Sequence, residues 1–469
     1  METITAGLLA GMRIESLVNR IQLFQKFRAF YDNDFDEIKE WIQTELKDNY
    51  TEDTLKKLRI RHQDGVQKVL RTKVQGIFDN EPSRELYLNT ETDSGELETD
   101  KTLDDVLLQA KYNMKIKEAL KQALFFNVVL VEPVERNGKI EIDIITGDTC
   151  EVETDALDFN KPIKVMLSRW DSDKKQIIIL VWTETEHYIL DAGGQRYDEW
   201  NGKKLGNPYG VLPFAVLRIR EGIDFWGEPN WNLLQSQIEY DINLSNFGWI
   251  IDMQSFGVWV ANNLDLKEGM KMNPSTVISV KQTDTSQPTG SIECVVPSIQ
   301  FEALKSNLEF MWKTAMNSEG LSSATSSNET SLQSGVSKGY DEREIEGIRE
   351  DLKNILYYFE IDLLNKIKVV WNKIKSVTPL KEGIFDITYS EEKSGETPTD
   401  KVARRDSELK YGIKTEIDFI MEDFEVDRDE AIEILKKNLA LATAMQEPEL
   451  IAYLNSKREV KSTFLTSIK

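Results

Sequence analysis

Between Asn243 and Val260 the chain carries one charge, Asp252, within a stretch whose pattern is helical. Over residues 229–256 the apolar side chains Leu234, Ile238, Ile242, Trp249 and Met253 recur at helical spacing, while Leu244, Phe247 and Ile251 widen the stripe until almost every side is apolar. Such a helix has to be covered. Lipid is a poor cover, because Asn246, Asp252 and Gln254 fall within one bilayer span and a carboxylate at mid-depth is costly. Several protein neighbours are required, and further copies of the same chain are the economical supply. Pro229 suits the first turn of this helix.

The residues after this helix narrow the architecture. Residues 258–297 read as short strands and loops, and a second helix over 298–317 places Phe301, Leu304, Leu308, Trp312 and Ala315 on one face. Helix, small β insert, helix describes a hairpin-like stalk with a compact tip, an unusual plan for the core of a soluble enzyme. The composition then shifts. Residues 318–339 are dominated by Ser, Thr, Asn and Gly, with only Glu319, Glu329 and Lys338 charged, so they hold little apolar area to bury. This segment reads as a linker or as a functional loop. A long helix over 339–376 comes next, with Ile345, Ile348, Leu352, Ile355, Phe359, Leu363, Val370 and Trp371 in register. Lys366, Lys368, Lys373 and Lys375 at its end read as solvated cations matched to the helix dipole.

The flanks are of two kinds. Residues 1–80 read as helices: Leu17, Ile21, Phe24, Phe27 and Phe30 follow a 3.6 period, and a segment over 51–78 puts Leu58, Val66, Val69 and Ile77 on one side. Lys57, Arg61, Lys68 and Arg71 lie on another side, which reads as a solvated face before it reads as a phosphate-facing stripe. Residues 91–105, with seven acids and one lysine, read as an exposed loop feeding a helix near 102–124. From about 125 onward, β-rich runs separated by turn signals predict a mostly antiparallel β region, punctuated at its close by Pro208, Gly210 and Pro213. Ile384, Asp386 and Thr388 alternate as in a single strand, and the tail from 399 is helical. There Asp400 and Thr415 are the expected caps, Asp418 stands in capping-box register with Thr415, and a last helix is expected over about 427–445.

Function classes fall away on residue chemistry. The two histidines, His62 and His187, and the two cysteines, Cys150 and Cys294, are spaced for neither a metal site nor a disulfide framework, which fits a reducing cytoplasm. Neither GxxxxGK[ST] nor GxSxG occurs. Asp32, Asp34 and Asp36 have calcium-loop spacing, but Glu37 stands where the loop needs Gly and Gln43 where it needs Glu. Asp423, Asp427 and Asp429 likewise lack a glycine turn, and both clusters read as acids at helix starts. No catalytic residue, metal or cofactor is therefore expected. With 58 Lys+Arg against 81 Asp+Glu the net charge is −23, which rules out a broad basic grip on nucleic acid and leaves only weak, local or slippery contact. Glu2, Arg13 and Glu15 interrupt the N-terminal segment, so it is not patterned as a signal peptide, and no membrane partner is expected.

The order of these elements resembles the portal proteins of tailed bacteriophages, the head-to-tail connectors of the capsid. Four stretches carry the resemblance. Gly210, Pro213 and Phe214 resemble the family's strand-closing G-x-x-P-F stretch; Leu234, Tyr240 and Ser245 resemble its first stem helix, with shifted spacing. Ser334, Gly335 and Lys338 are similar to its lead-in to the long helix, although Ser337 stands where the family often has Ala or a hydrophobic residue. Gly412, Thr415 and Glu416, after a strand and a Pro-containing loop, are similar to its C-terminal piece.

The resemblance implies an α+β, portal-like subunit. Its parts are a helical and β wing (1–228), a two-helix stem (229–257 and 298–317), a small β clip (258–297), a tunnel loop (318–338), a long kinked helix with a returning wing strand (339–398), and a helical crown (399–469). It implies a homododecameric ring at one vertex of the virion capsid, assembled in the bacterial host cytoplasm. Double-stranded DNA would pass through non-specifically during packaging and ejection, and the partners would be terminase, major capsid and scaffold proteins, and a head-completion adaptor. On this basis Ser323, Thr325, Ser326, Ser327, Asn328, Ser334 and Lys338 are expected to face DNA. Leu234, Ile238, Ile242, Trp249, Met253, Phe301, Leu304, Leu308 and Trp312 are expected between stem helices of neighbouring subunits. An acidic ring would repel phosphates and so let a duplex slide. Two other readings stand beside this one: an oligomeric intracellular scaffold without a channel, and a magnesium- or manganese-dependent nuclease built on the acidic clusters.

Overall fold

The computed structural model describes residues 14–78, 80–91, 97–254, 258–262, 291–295, 301–321, 335–374, 378–389, 398–424 and 426–444. The chain forms two compact units, which meet between Glu391 and Glu392. It is a mixed helix and sheet protein.

The core of the first unit starts from aromatic spacing. In α1 (Ile14–Asp32), Phe24, Phe27 and Phe30 fall on one face and are fully buried. They meet Phe125 and Phe126 at the end of α6 (Tyr112–Phe126), with ring centroids 4.7 Å apart for Phe27 and Phe125 and 5.7 Å for Phe24 and Phe126. Each such ring pair adds about 1 kcal/mol beyond the area it buries. The polar side of α1 is tied down by Arg20 on Glu151 and by Arg28 on Thr146 and Asp148. Asp34 caps α2 (Phe35–Leu46), accepting from the backbone N–H groups of Asp36 and Glu37, so two of the three acids with calcium-loop spacing belong to a helix start.

The single helix expected over 51–78 is two: α3 (Glu52–Lys57) and α4 (Gly65–Gln75), with extended chain between them. Asp64 starts the second by accepting from the N–H of Gln67 at 3.0 Å. Leu58, Val66, Val69 and Ile77 are buried as their spacing predicts, but Lys57, Arg61, Lys68 and Arg71 do not share one helical face. The helix expected near 102–124 is also divided, into α5 (Thr102–Gln109) and α6, at Lys111 with φ +51.

The β region begins three residues later than the sequence indicated. Phe125 and Phe126 form the last turn of α6, and Asn127, at φ +70, turns the chain into a strand. Asn127 also staples a distant loop: its Nδ2 donates to the carbonyls of Arg220 and Trp226 at 3.1 Å, and its Oδ1 accepts from the Arg220 N–H at 2.9 Å. Gly227, at φ +58, lies so close to Asn127 that any Cβ there would collide with the amide.

Strand β1 (Ser83–Glu91), which the sequence reading missed, pairs with β2 (Leu97–Thr99) inside the acidic stretch read as a loop. The strands β3 (Val128–Arg136) and β4 (Lys139–Ile145) form one antiparallel pair. A second sheet runs in order through β5 (Cys150–Thr154), β6 (Pro162–Asp171), β7 (Gln176–Thr183), β8 (His187–Leu190) and β9 (Arg196–Tyr197). After the short hairpin of β10 (Glu199–Trp200) and β11 (Lys203–Lys204), β12 (Ala215–Arg218) returns to β3. Every ladder among the described residues is antiparallel.

Then come α7 (Trp231–Gln254), β13 (Val258–Asn262), β14 (Ser291–Val295), α8 (Phe301–Ser318), α9 (Gly335–Ile374) and β15 (Gly383–Thr388). Helix α9 packs on β3, β12 and β15 through Leu356, Leu363, Leu364, Ile367 and Val370, all fully buried. Lys366 and Lys368 are not solvated as expected: Lys366 binds Asp362 and the Phe214 carbonyl, and Lys368 binds Glu382 at 2.7 Å. Strand β15 closes the unit by pairing antiparallel with β1, Leu86 opposite Phe385. Beneath this pair a buried Arg84 grips Glu360, with NH2 to Oε1 at 3.1 Å, and Tyr389 donates to the same carboxylate at 2.7 Å.

In the second unit, α10 (Pro398–Lys410) begins two residues before Asp400, which is therefore inside the first turn and not its cap. Helix α11 (Glu416–Phe424) has the expected capping box: Thr415 N–H donates to Asp418 Oδ2 at 2.6 Å, and the Asp418 N–H reaches Thr415 Oγ1 at 3.4 Å. Asp427 caps α12 (Arg428–Ala444) through the N–H groups of Asp429 and Glu430. Asp423 is no helix-start acid. It sits at the far end of α11, and hydrogen bonds from Arg405 and then Lys401 hold its carboxyl well below the usual range.

Candidate assembly site on the paired helices

Helix α7 starts from Asn230, whose side chain accepts from the Leu233 N–H at 3.2 Å; Pro229 precedes this cap and is not in the first turn. On the face opposite the solvent, Gln237, Asp241 and Ser245 follow at four-residue spacing, and all three are buried. They meet the extended segment between α3 and α4 and the first residue of α4. Gly65 N–H donates to Gln237 Oε1 at 3.0 Å, Gln63 N–H to Asp241 Oδ1 at 3.2 Å, and Arg61 N–H to Ser245 Oγ at 2.8 Å. His62 Nδ1 lies 2.6 Å from Asp241 Oδ2. Burial raises the Asp241 pKa, and the bonds from His62 and Gln237 oppose that rise without cancelling it. This seam fixes the near half of α7 by giving the Arg61 and Gln63 N–H groups of that segment their acceptors.

Helix α8 is rooted beside it. Trp312 packs on Tyr240 at 5.6 Å between centroids and closes over Gly65, where a side chain would not fit. Just past the helix end, Glu319 is buried, accepting from Lys73 at 2.6 Å and from the Asn230 amide at 3.1 Å. One carboxylate thus joins the start of α7, the end of α8 and α4.

Exposure changes along both helices in mirror fashion. In α7, Leu234 is 0% and Ile238 2% exposed, whereas Ile242, Leu244, Phe247, Trp249, Ile250 and Ile251 are only half-buried. In α8 the order is reversed: Ala315 and Met316 are buried at its end, and Phe310 and Phe301 are 67% and 44% exposed towards its start. Strands β13 and β14, which join the outer ends, pair antiparallel with Trp259 opposite Cys294.

The expected interface residues therefore divide. Leu234 and Ile238 are buried in the core of their own chain. Leu308 is buried as well. Ile242, Trp249, Leu304 and Trp312 are half-buried and Phe301 is exposed, while the side chain of Met253 lies outside the described residues. Of the expected DNA-facing residues, Ser323, Thr325, Ser326, Ser327, Asn328 and Ser334 lie outside the described residues. Lys338 is in α9, which begins at Gly335, so the expected loop loses its last four positions to helix.

The polar seam was missed, although a signal for it exists: Gln237, Asp241 and Ser245 are polar at i, i+4 and i+8 in an otherwise apolar helix. Among the described residues no group of three or more His, Cys, Asp and Glu side chains could hold a metal ion, and no helix is long and apolar enough to cross a membrane.

No family model matches the chain, and no curated protein matches it. Among solved structures it is similar to the neck of an empty GTA particle, with 8% identity and a TM-score of 0.43, covering 74% of this chain and 86% of that one. It is also similar to an HK97 family phage portal protein from Corynebacterium diphtheriae, with 9% identity and a TM-score of 0.29, covering 70% of this chain and 92% of that one.

Proposed function

We propose that this chain is the subunit of a phage portal: a ring at one capsid vertex that serves as the channel for DNA packaging and ejection and as the attachment site for terminase and head-completion proteins. The observation that carries the reading is the pair of helices rooted by polar seams at one end and, towards the other, left with half-buried apolar side chains on α7 and exposed phenylalanines on α8. A single copy gains nothing from exposing Phe301 and Phe310 or from leaving Ile242, Phe247, Trp249 and Ile251 only half-buried, while neighbouring copies would bury them. The order of sequence motifs supplies the second support. In this reading residues 229–257 and 298–317 are the stem, 258–297 the clip, and 318–338 the segment nearest DNA. No residue is assigned a catalytic role. The net charge of −23 keeps the wall from holding the duplex.

Negative-stain electron microscopy of the purified full chain tests this directly. Rings with a central hole are expected. Discrete single copies would overturn the reading, and assemblies without a hole would favour the scaffold alternative.

A further inference from the structure

Ile223 and Leu157 are 100% and 98% exposed. They stand on two loops that touch, the β5–β6 connection and the β12–α7 connection, joined by Asn160 Nδ2 donating to Glu221 Oε2 at 3.2 Å. Acids flank both: Asp158 follows Leu157, and Glu221 and Asp224 bracket Ile223. Between the loops lies Arg218, whose side chain is 10% exposed and whose terminal nitrogens make no hydrogen bond; Glu221 is 3.9 Å away. Burial lowers the Arg218 pKa, while Glu221, Asp224 and Asp158 all act on it in the opposite sense. The guanidinium therefore gathers three carboxylates without occupying them. Residues 155–161 and 219–228 together hold five acids against two bases, Lys161 and Arg220.

A surface of opposite character lies at the corner between α5 and α6. Leu108 and Met114 are 79% and 59% exposed there. Residues 107–117 contain Lys111, Lys115 and Lys117 and no acid. Lys111, in the left-handed region, is the residue that makes the corner.

We propose that these two surfaces are the halves of one interface between copies of this chain, the acidic loops with Leu157 and Ile223 seating on the α5–α6 corner of the next copy. The inference rests on the ring reading and adds which surfaces meet. Because the halves differ, the contact is head-to-tail and repeats from copy to copy, which is how a rotation closes a ring. Apolar prongs supply the buried area, and the charges set register and exclude wrong pairings.

Two charge-reversed variants test it. One is Asp158→Lys with Glu221→Lys; the other is Lys111→Glu with Lys117→Glu. The first presents two basic surfaces and the second two acidic ones. By native mass spectrometry each alone is expected to lose assembly by tenfold or more, and an equimolar mixture is expected to regain it with alternating composition. Circular dichroism shows whether each variant is folded. As a second route, Leu157→Ser with Ile223→Ser alters only fully exposed side chains and is expected to weaken assembly as well. If either reversed variant assembles alone like the unmodified chain, or the mixture stays as single copies, this interface is wrong while the ring reading stands. If the unmodified chain is itself a single copy, both fall.

Discussion

Glu132 lies in β3 directly across from Asp143 in β4, and it is 7% exposed. Burial, reinforced by the charge of Asp143, raises its pKa from an ordinary 4.5 to about 8, and the more distant Arg169 and Arg136 do not compensate. Between those two values the unfolded chain has released the proton and the folded chain keeps it. Stability must therefore fall as pH rises through this window and level off above it. In Glu132→Gln the fall between pH 5 and pH 8 is expected to shrink, giving a variant more stable than the unmodified chain at pH 8. Urea midpoints at the two pH values check this, and parallel shifts in both proteins would discard the assignment. A neighbour behaves oppositely: burial raises Asp143, but the hydrogen bonds and charge of Arg136 outweigh it and lower its pKa, so its contribution is lost only at acid pH. None of this was legible in the sequence, because the carboxylates of Glu132 and Asp143 meet through a ladder, not through spacing. The caps at Asp427 and Thr415 were legible because a cap and the N–H groups it serves lie within three residues of each other.

Helix α7 separates two effects that its periodicity alone merged. The apolar spacing gave one stripe from Leu234 to Met253, yet folding buries its first half fully and leaves Ile242 and Trp249 in the second only half-buried. Beside it runs the extended segment whose Arg61 and Gln63 N–H groups donate to Ser245 and Asp241, and nothing in the local pattern of residues 58–64 announces that need. Ile238→Asp would place an unpaired charge in the core at a cost of several kcal/mol. It is expected to give insoluble or unfolded protein. Trp249→Asp changes a half-buried position on the outer half and is expected to keep the native circular dichroism and melting temperature of the single copy while losing assembly. Equal damage to folding from both would show that the outer half is internal after all. At the capping box of α11, Thr415→Ala removes one side-chain acceptor and should cost about 1 kcal/mol, read as a lower melting temperature of the C-terminal unit alone.

The molecule as a whole is built from closures over long sequence separations. Arg84 and Glu360 are 276 positions apart, and one edge of β1 is closed only by β15. The return of a lone strand after the long helix was legible from its alternation, but its partner was not, since Ser83–Glu91 carries no strong strand signal. These closures fix where the chain can be cut. Among the described residues, all buried apolar side chains of the first unit lie at or before Ile387, and Tyr389 completes the bond to Glu360. The second unit has its own buried residues, Phe419 and Ala431. A chain ending at Glu391 keeps the described core of the first unit and is therefore expected to melt within about 2 °C of that unit in the full chain. A chain ending at Lys381 loses β15, buries neither Phe385 nor Ile387, and leaves β1 as an open edge over the Arg84–Glu360 pair. It is expected not to fold. If calorimetry finds the chain ending at Glu391 destabilised by more than about 5 °C, the first unit depends on the second, and the boundary at Glu391 is not a boundary of stability.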